Sequence, residues 1–362
     1  MSTDKKISPS LLEQSKQPKQ KHHLSYQGKG INQLSAITQR KVQESAKAQQ
    51  IELFSKEEGY NKPVRVVSGD VIYTLSNNAC VVSGRTIQVI RYLIQKFTEQ
   101  DLQAYTPEEK ELARNVELTI KEVGNKFQMN NATAIKSMLT LQLLTASEMW
   151  AEWIEHVYYE DGKTGKKKRS VNKEHYRTRL IGGIKETVPA GQDANSEPQL
   201  FKRGKVTVRI DVDFAKYLQN SYIMAINDNF YAISPKKNPY SVAFYDKIMT
   251  HYRSNIGKPN QNIIRVKTLL DMTDIPHYEE IAGKGRTNQL MFTPFERDMD
   301  NLQELGLIKS WDYCKPNGVP LTKAERKKMT GTQFESYDVY FEMPDDYPAM
   351  KPIAIEEPPE IQ

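Results

Sequence analysis

The chain has 362 residues, 38% of them apolar and 27% charged, a globular composition long enough for two domains plus tails. No run approaches the roughly 18 apolar residues of a membrane helix, and the start MSTDKKISPS lacks a secretory apolar stretch. Two cysteines, Cys80 and Cys314, are too few for a disulfide framework or a Cys-rich zinc site, so a reduced, cytoplasmic setting is expected.

The net charge of +6 is unevenly spread. Residues 1–50 hold nine Lys and Arg against Asp4, Glu13 and Glu44, which accounts for the whole excess. Residues 342–362 hold six acids against Lys351. A basic arm, a mildly basic body and an acidic end fit a nucleic-acid partner, although a solvated arm without a role fits the same composition. Residues 1–62 are rich in Gln, Lys and Ser and are expected to be a mostly disordered arm, with a transient helix over 39–54.

The ordered part opens with VRVVSGDVIYTL, an alternating stretch suited to two strands turned at Ser68-Gly69-Asp70. A helix over 84–99 follows, with Ile87, Ile90, Leu93, Ile94 and Phe97 on one face. Thr106-Pro107-Glu108-Glu109 reads as a capping box that starts another. Then comes LTIKEVGNKFQMNNATAIKSMLTLQLL, two short amphipathic helices parted by Asn130-Asn131. The first is expected to bury Leu118, Ile120, Val123 and Phe127, with Gly124 permitting close helix contact. The second buries Ile135, Met138, Leu139 and Leu143.

Strands over about 150–159 and 174–187 follow, joined by a basic hairpin (Lys163, Lys166, Lys167, Lys168, Arg169). Helix, turn, helix and charged hairpin in that order predict a winged helix, which sets one helix in the DNA major groove and a wing on the neighbouring backbone. On the second helix Asn131, Thr133, Lys136, Ser137, Thr140 and Gln142 are expected to face outward. Lys136 suits phosphate, and the polar side chains suit phosphates or base edges. A bundle of unrelated helices and a solvated hairpin tip are the bland alternatives.

After a polar loop (190–198), KVTVRID forms a strand and VDFAKYLQN a helix, and SPKKNPYS marks a seam whose prolines disfavour a continuous helix. The second half repeats the plan. A helix over 240–253 carries Tyr240, Phe244, Ile248 and Tyr252, and a short one lies near 267–272. Thr293-Pro294-Phe295-Glu296 reads as a capping box opening a helix with Phe295, Met299, Leu302 and Leu305 inside, stopped by Gly306. LIKSWDYC and SYDVYFEM are expected to be the strands of a second wing, separated by the insertion KPNGVPLTKAERKKMTGTQ with a short helix of its own.

The exposed face of that capped helix (Arg297, Asp298, Asp300, Asn301, Glu304) is expected to be acidic. DNA contacts there would fall to Lys284, Arg286, Asn288 and Gln289 ahead of the helix and to Lys323, Arg326, Lys327 and Lys328 in the insertion. Contact of the acidic face with protein is the alternative. The expected layout is therefore α+β: an arm (1–62), two tandem winged-helix domains (63–234 and 235–343) and an acidic Pro-rich tail (344–362).

Enzyme chemistry finds little support. GKGRTN lacks the Walker pattern and a preceding strand, the histidines are scattered, and none shares ligand spacing with Cys or acids. No catalytic residue, metal or other cofactor is expected.

The seam VTVRIDVDFAKYLQNSYIMAINDNFYAISPKKNPYSVAFYDKIMTHY, with Tyr240, Phe244 and Tyr245 on the helix that opens the second half, resembles the Rep_3-type, iteron-binding plasmid replication initiators, a family of two winged-helix domains. The resemblance spans about 64–343 and is one of layout with loose motifs. It departs in the long arm, the long first wing, the insertion in the second and the acidic capped helix. It implies a sequence-specific binder of repeated origin sites in double-stranded DNA that recruits a host replication initiator and helicase. It also implies dimerisation through the first domain and repression of its own gene. A transcriptional regulator or partition protein built from the same modules is the alternative, and an origin-nicking enzyme a more distant one.

Overall fold

The structure is a computed structural model that describes residues 24–28, 64–68, 71–75, 83–160, 167–186, 201, 204–219, 223–345 and 347. Among them helices and small antiparallel sheets intermix, the α+β arrangement expected. No described helix is long and apolar enough to cross a membrane. The expected helix over 39–54, the loop 190–198 and the end of the acidic tail lie outside the described residues, as do Cys80, Lys163 and Lys166.

In the first half, helix α1 (Gly84–Asp101) is opened by a reciprocal pair of bonds between Ser83 and Thr86. Its face of Ile87, Ile90, Leu93, Ile94 and Phe97 is buried as the spacing predicts. Helix α2 (Pro107–Ala113) has the expected Thr106/Glu109 capping box. The next segment corrects the reading. Leu118 belongs not to a helix but to strand β4 (Asn115–Thr119), where Val116 and Leu118 are buried in alternation with polar neighbours. Helix α3 (Ile120–Lys126) begins after it, because the Thr119 side chain accepts the Glu122 amide and caps it there.

Helix α4 (Ala132–Ser147) follows, with Ile135, Leu139 and Leu143 buried and Met138 half-buried. A Cβ on Gly124 would lie 2.9 Å from Ile135 Cδ1 and 2.9 Å from the Met129 carbonyl. The close contact of α3 with α4 therefore requires glycine.

Strands β2 (Val64–Ser68) and β3 (Val71–Leu75) form the expected hairpin and extend a sheet with β5 (Met149–Glu160) and β6 (Lys167–Arg179), in the order β2-β3-β5-β6. β6 starts earlier than expected, so Lys167, Lys168 and Arg169 stand within a strand, in register with Glu160, Tyr159 and Tyr158. β3 accompanies β5 only from Met149 to Trp153. Beyond that point the β5–β6 pair continues as a two-stranded ribbon for roughly 20 Å. After Leu180 the chain crosses to a second sheet, β7 (Ile181–Lys185) with β8 (Lys205–Ile210) and β4, in the order β4-β8-β7. Helix α5 (Val212–Gln219) then packs on β6.

The arm contributes an unforeseen strand: β1 (Leu24–Gly28) pairs antiparallel with β9 (Ile223–Asn227) at the junction of the halves. Strand pairing draws on backbone groups that every residue carries, and no apolar run announces it. A 3-10 turn (Asp228–Ala232) leads into the seam and then helix α6 (Ser241–Ser254). At this junction Arg91 of α1 meets Asp246 of α6 at 2.6 Å, with side chains 2% and 1% exposed. The Arg91 guanidinium also lies 4.9 Å from the centre of the Phe230 ring. Gln88 donates to the carbonyls of Phe230 (2.7 Å) and Ile233 (3.2 Å). The apolar residues of both halves thereby join in one continuous core.

The second half runs β10 (Ile263–Arg265), α7 (Val266–Leu270), α8 (Tyr278–Ile281), a π turn (Asn288–Phe292) and α9 (Thr293–Glu304). Strand β11 (Ser310–Cys314), helices α10 (Lys323–Lys327) and α11 (Gly331–Ser336) and strand β12 (Asp338–Glu342) complete it, with sheet order β10-β12-β11. The expected capping box at Thr293 does not form. The chain already turns from Asn288, Thr293 donates to the Asn288 carbonyl, and the residue before α9, Phe292, makes no side-chain cap. The other end ends as expected. Gly306 has φ +65°, its amide reaches the Gln303 carbonyl, and the Leu307 amide reaches that of Leu302.

Candidate nucleic-acid interface

Two bonds fix the direction of α9 on the sheet of the second half. Trp311 Nε1 donates to Asp300 Oδ1 at 3.0 Å, and the Tyr313 hydroxyl bonds Glu296 Oε1 at 3.2 Å. Moving along β11 toward Cys314 therefore moves toward the N-terminus of α9. Cys314 and Asp338 pair at the end of the β11–β12 hairpin from which the insertion departs, and Arg265 pairs with Asp338 beside them. The N-terminal end of α9, the insertion and the end of β10 thus share one end of the half.

That end is basic. Gly283 and Gly285, at φ +80° and +64°, turn the loop on either side of exposed Lys284. Arg286, Asn288, Gln289 and Thr293 are exposed after it. Arg297 continues the stripe with its side chain 44% exposed. Exposed Asp300 and Glu304 stand at the opposite, C-terminal end of α9.

Asp298, expected on the exposed acidic face, is wholly buried. Its Oδ1 accepts the amides of Tyr240 (2.9 Å) and Ser241 (2.8 Å) and the Ser241 hydroxyl (2.9 Å). It therefore caps α6, whose own N-terminal residue supplies no side-chain cap. Its other oxygen receives the Arg297 guanidinium at 2.6 and 3.1 Å. Burial raises the Asp298 carboxyl above the ordinary range despite these bonds, which act the other way. Asn301, also expected outside, is half-buried.

The insertion holds two helices where one was expected, and both are fastened to the body. Phe334 packs on Phe292, Phe295 and Tyr313, with ring centres 4.6 to 5.7 Å apart. Glu335 receives the Tyr278 amide at 2.6 Å. Lys315 meets Glu325 at 2.7 Å, and this contact with the Thr322 bonds holds the Glu325 carboxyl down at about 2. Of the four basic residues expected here, Lys323, Lys327 and Lys328 are exposed. Arg326 is exposed too but is ion-paired with Asp312 and lies 5.7 Å from the Tyr313 ring centre. It serves the attachment of α10.

On α4 the outward face is less polar than expected. Thr133 and Ser137 are exposed, and Lys136 and Thr140 are half-buried. Asn131 is exposed, with its side chain already accepting the Ala134 amide as the helix cap. Gln142 corrects the expectation: it is buried, and its Oε1 takes the Thr86 hydroxyl at 2.5 Å. Leu141 and Leu144, 61% and 51% exposed, occupy the outward face instead. The side chains of Lys167, Lys168 and Arg169 lie outside the described residues.

One basic row escaped the sequence reading. His175, Arg177 and Arg179 are all exposed at alternate positions of β6, with Tyr176 and Thr178 turned inward. Arg177 and Arg179 lie 5.3 and 5.1 Å from the Trp150 ring centre. Two-residue periodicity in HYRTR is the signal that finds it. Among the described residues no group of three or more His, Cys, Asp or Glu is placed to hold a metal.

No family model matches the chain, and no curated protein matches it. Among solved structures, a crystal structure of domains 2 and 3 of RctB aligns with a TM-score of 0.39 at 10% identity, over 79% of this chain and 91% of that one. A second, also of RctB domains 2 and 3, gives 0.36 at 10% identity, over 67% and 78%. Likeness at this level carries no functional argument.

Proposed function

We propose that the chain is a sequence-specific double-stranded DNA-binding protein made of two winged-helix modules, 63–234 and 235–343, and that it initiates replication of a plasmid or mobile element at origin repeats. The observation that carries the DNA reading is the basic end of the second half. There Lys284, Arg286, Asn288, Gln289 and Arg297 line the entry to one helix, beside a helical insertion bearing Lys323, Lys327 and Lys328. The element order supports the winged-helix assignment. In both halves a short strand (β4, β10) precedes helices that end in a strand pair (β5–β6, β11–β12). In the second half that first strand joins the pair in the order β10-β12-β11, whereas in the first β4 pairs with β8 instead. A helix presented by its N-terminal end, flanked by a cationic hairpin, suits a major groove and its phosphates.

The replication role rests on the resemblance at the seam between the halves. In this reading the protein performs no catalysis and acts by recruiting a host initiator and helicase, with pairing of two copies through the first module. The test is binding of purified protein to the DNA upstream of its own gene and to random duplex in moderate salt. A preference for the upstream DNA is expected, and equal affinity overturns the reading. Origin-dependent maintenance of a replicon carrying the gene then separates an initiator from a transcriptional regulator or partition protein.

A further inference from the structure

On the β10 edge of the second half, between the C-terminal part of α6 and the base of the insertion, lies an open cleft of about 660 Å3. Its lining mixes the apolar surface of Ile263, Ile264 and Pro316 with the polar groups of Lys247, Arg265 and Asn317. An enclosed apolar cavity suits a small organic ligand, whereas an open trough presenting cations and amides suits a chain of phosphates. The charge count agrees. His251 is engaged on both ring nitrogens, with Nε2 2.8 Å from the Asn260 carbonyl and Nδ1 3.3 Å from the Asn255 amide. That leaves Lys247 and Arg265 against the single carboxylate of Asp338, which stands 3.9 Å from Arg265. Asn317 Oδ1 accepts the Val319 amide, so its NH2 group is the part left to donate.

Position completes the case. Arg265 and Asp338 pair at the end of the sheet from which the insertion departs, the end to which α9 points its N-terminus. α9 packs beside β11, at the other edge of the sheet from β10. A duplex lying across this end would meet Arg286 and the π turn at one edge and the cleft at the other. We infer that the cleft is a second phosphate site, which grips the sugar-phosphate backbone of the same duplex through Lys247, Arg265, Thr268 and Asn317. This rests on the DNA-binding reading of the second half.

The test uses the full-length chain, with Lys247→Ala, Arg265→Gln and the pair together. Binding to a 30-base-pair duplex carrying the upstream sequence, to a random duplex and to a 30-nucleotide single strand is followed from about 50 to 300 mM salt. Each change is expected to lower the slope of log affinity against log salt by about 1, and the pair by about 2, equally on both duplexes. An unaltered thermal melt shows that the variants fold. Slopes unchanged on duplex while Arg286→Ala weakens binding would sink the cleft proposal and leave the DNA-binding reading standing. A loss confined to single strands would overturn it in favour of a single-strand site. Absence of duplex binding by the unmodified protein overturns the underlying reading instead.

Discussion

Asp298 illustrates how a charged letter in an exposed-looking stripe can belong to the interior. Its three bonds to the start of α6 supply what that helix lacks, and its second oxygen steadies Arg297 on the basic stripe. Replacement by Ala leaves two amides without an acceptor and is expected to cost about 2 kcal/mol in urea unfolding, with Asn roughly half as damaging because its carbonyl still accepts. A loss for Ala no greater than that for Asn would show that the cap contributes little. Glu325 gives a pH prediction of definite sign. Its carboxyl is held down at about 2, so the folded state favours the ionised form. The stabilisation is complete above the ordinary carboxylate pKa of about 4.3 and is lost as pH falls from there through about 2. Carboxyl-carbon NMR of Glu325 should follow that course, and titration at the ordinary value would refute the Lys315 attachment of α10.

At the scale of elements, glycine marks two contacts that decide how helices sit. A Cβ on Gly331 would fall 2.0 Å from the Tyr278 ring, and one on Gly124 meets Ile135 and a backbone carbonyl at 2.9 Å. Gly124→Ala is expected to destabilise the first half by about 1–3 kcal/mol, read from the denaturation midpoint, since the carbonyl cannot give way as a flexible side chain can. The close approach at Gly124 was legible in the sequence because the glycine falls where two apolar stripes face each other. The strand at 115–119 was not, because Leu118 fits a helical stripe with Val123 and Phe127 as well as it fits the alternation of β4. On β6 the exposed row ending in Arg177 and Arg179 is the described basic surface of the first half's hairpin. Changing both to Ala should weaken binding on all duplexes and lower the salt slope by about 2. An unchanged slope would remove this strand from the DNA contact.

At the scale of the molecule the junction is the feature that joins the halves. The Arg91–Asp246 pair is almost fully buried and lies against Phe230, between a helix of each half. Removing one partner leaves a buried charge behind, so Arg91→Ala is expected to cost about 3–5 kcal/mol, whereas an apolar pair of similar volume at both positions should be nearly neutral. If the single change costs as little as the double, the pair does not hold the junction. With the junction intact the two candidate DNA surfaces are carried on one continuous core, so their separation on a duplex is set by packing rather than by a free linker.

The sequence by itself determined the helices of strong apolar period, the hairpins and the capping box at Thr106. These depend on neighbours within a turn or two of chain. The tertiary structure alone decided which polar side chains remain exposed for the proposed DNA contact. Gln142 turns inward to Thr86 and Asp298 to Ser241, Arg326 pairs with Asp312 and Arg177 with Glu152 while still exposed, and Arg179 stays outside. Periodicity identifies the apolar side of a helix, but a polar residue at its margin is claimed or left free by a partner distant in sequence, and only the packed fold brings that partner into reach.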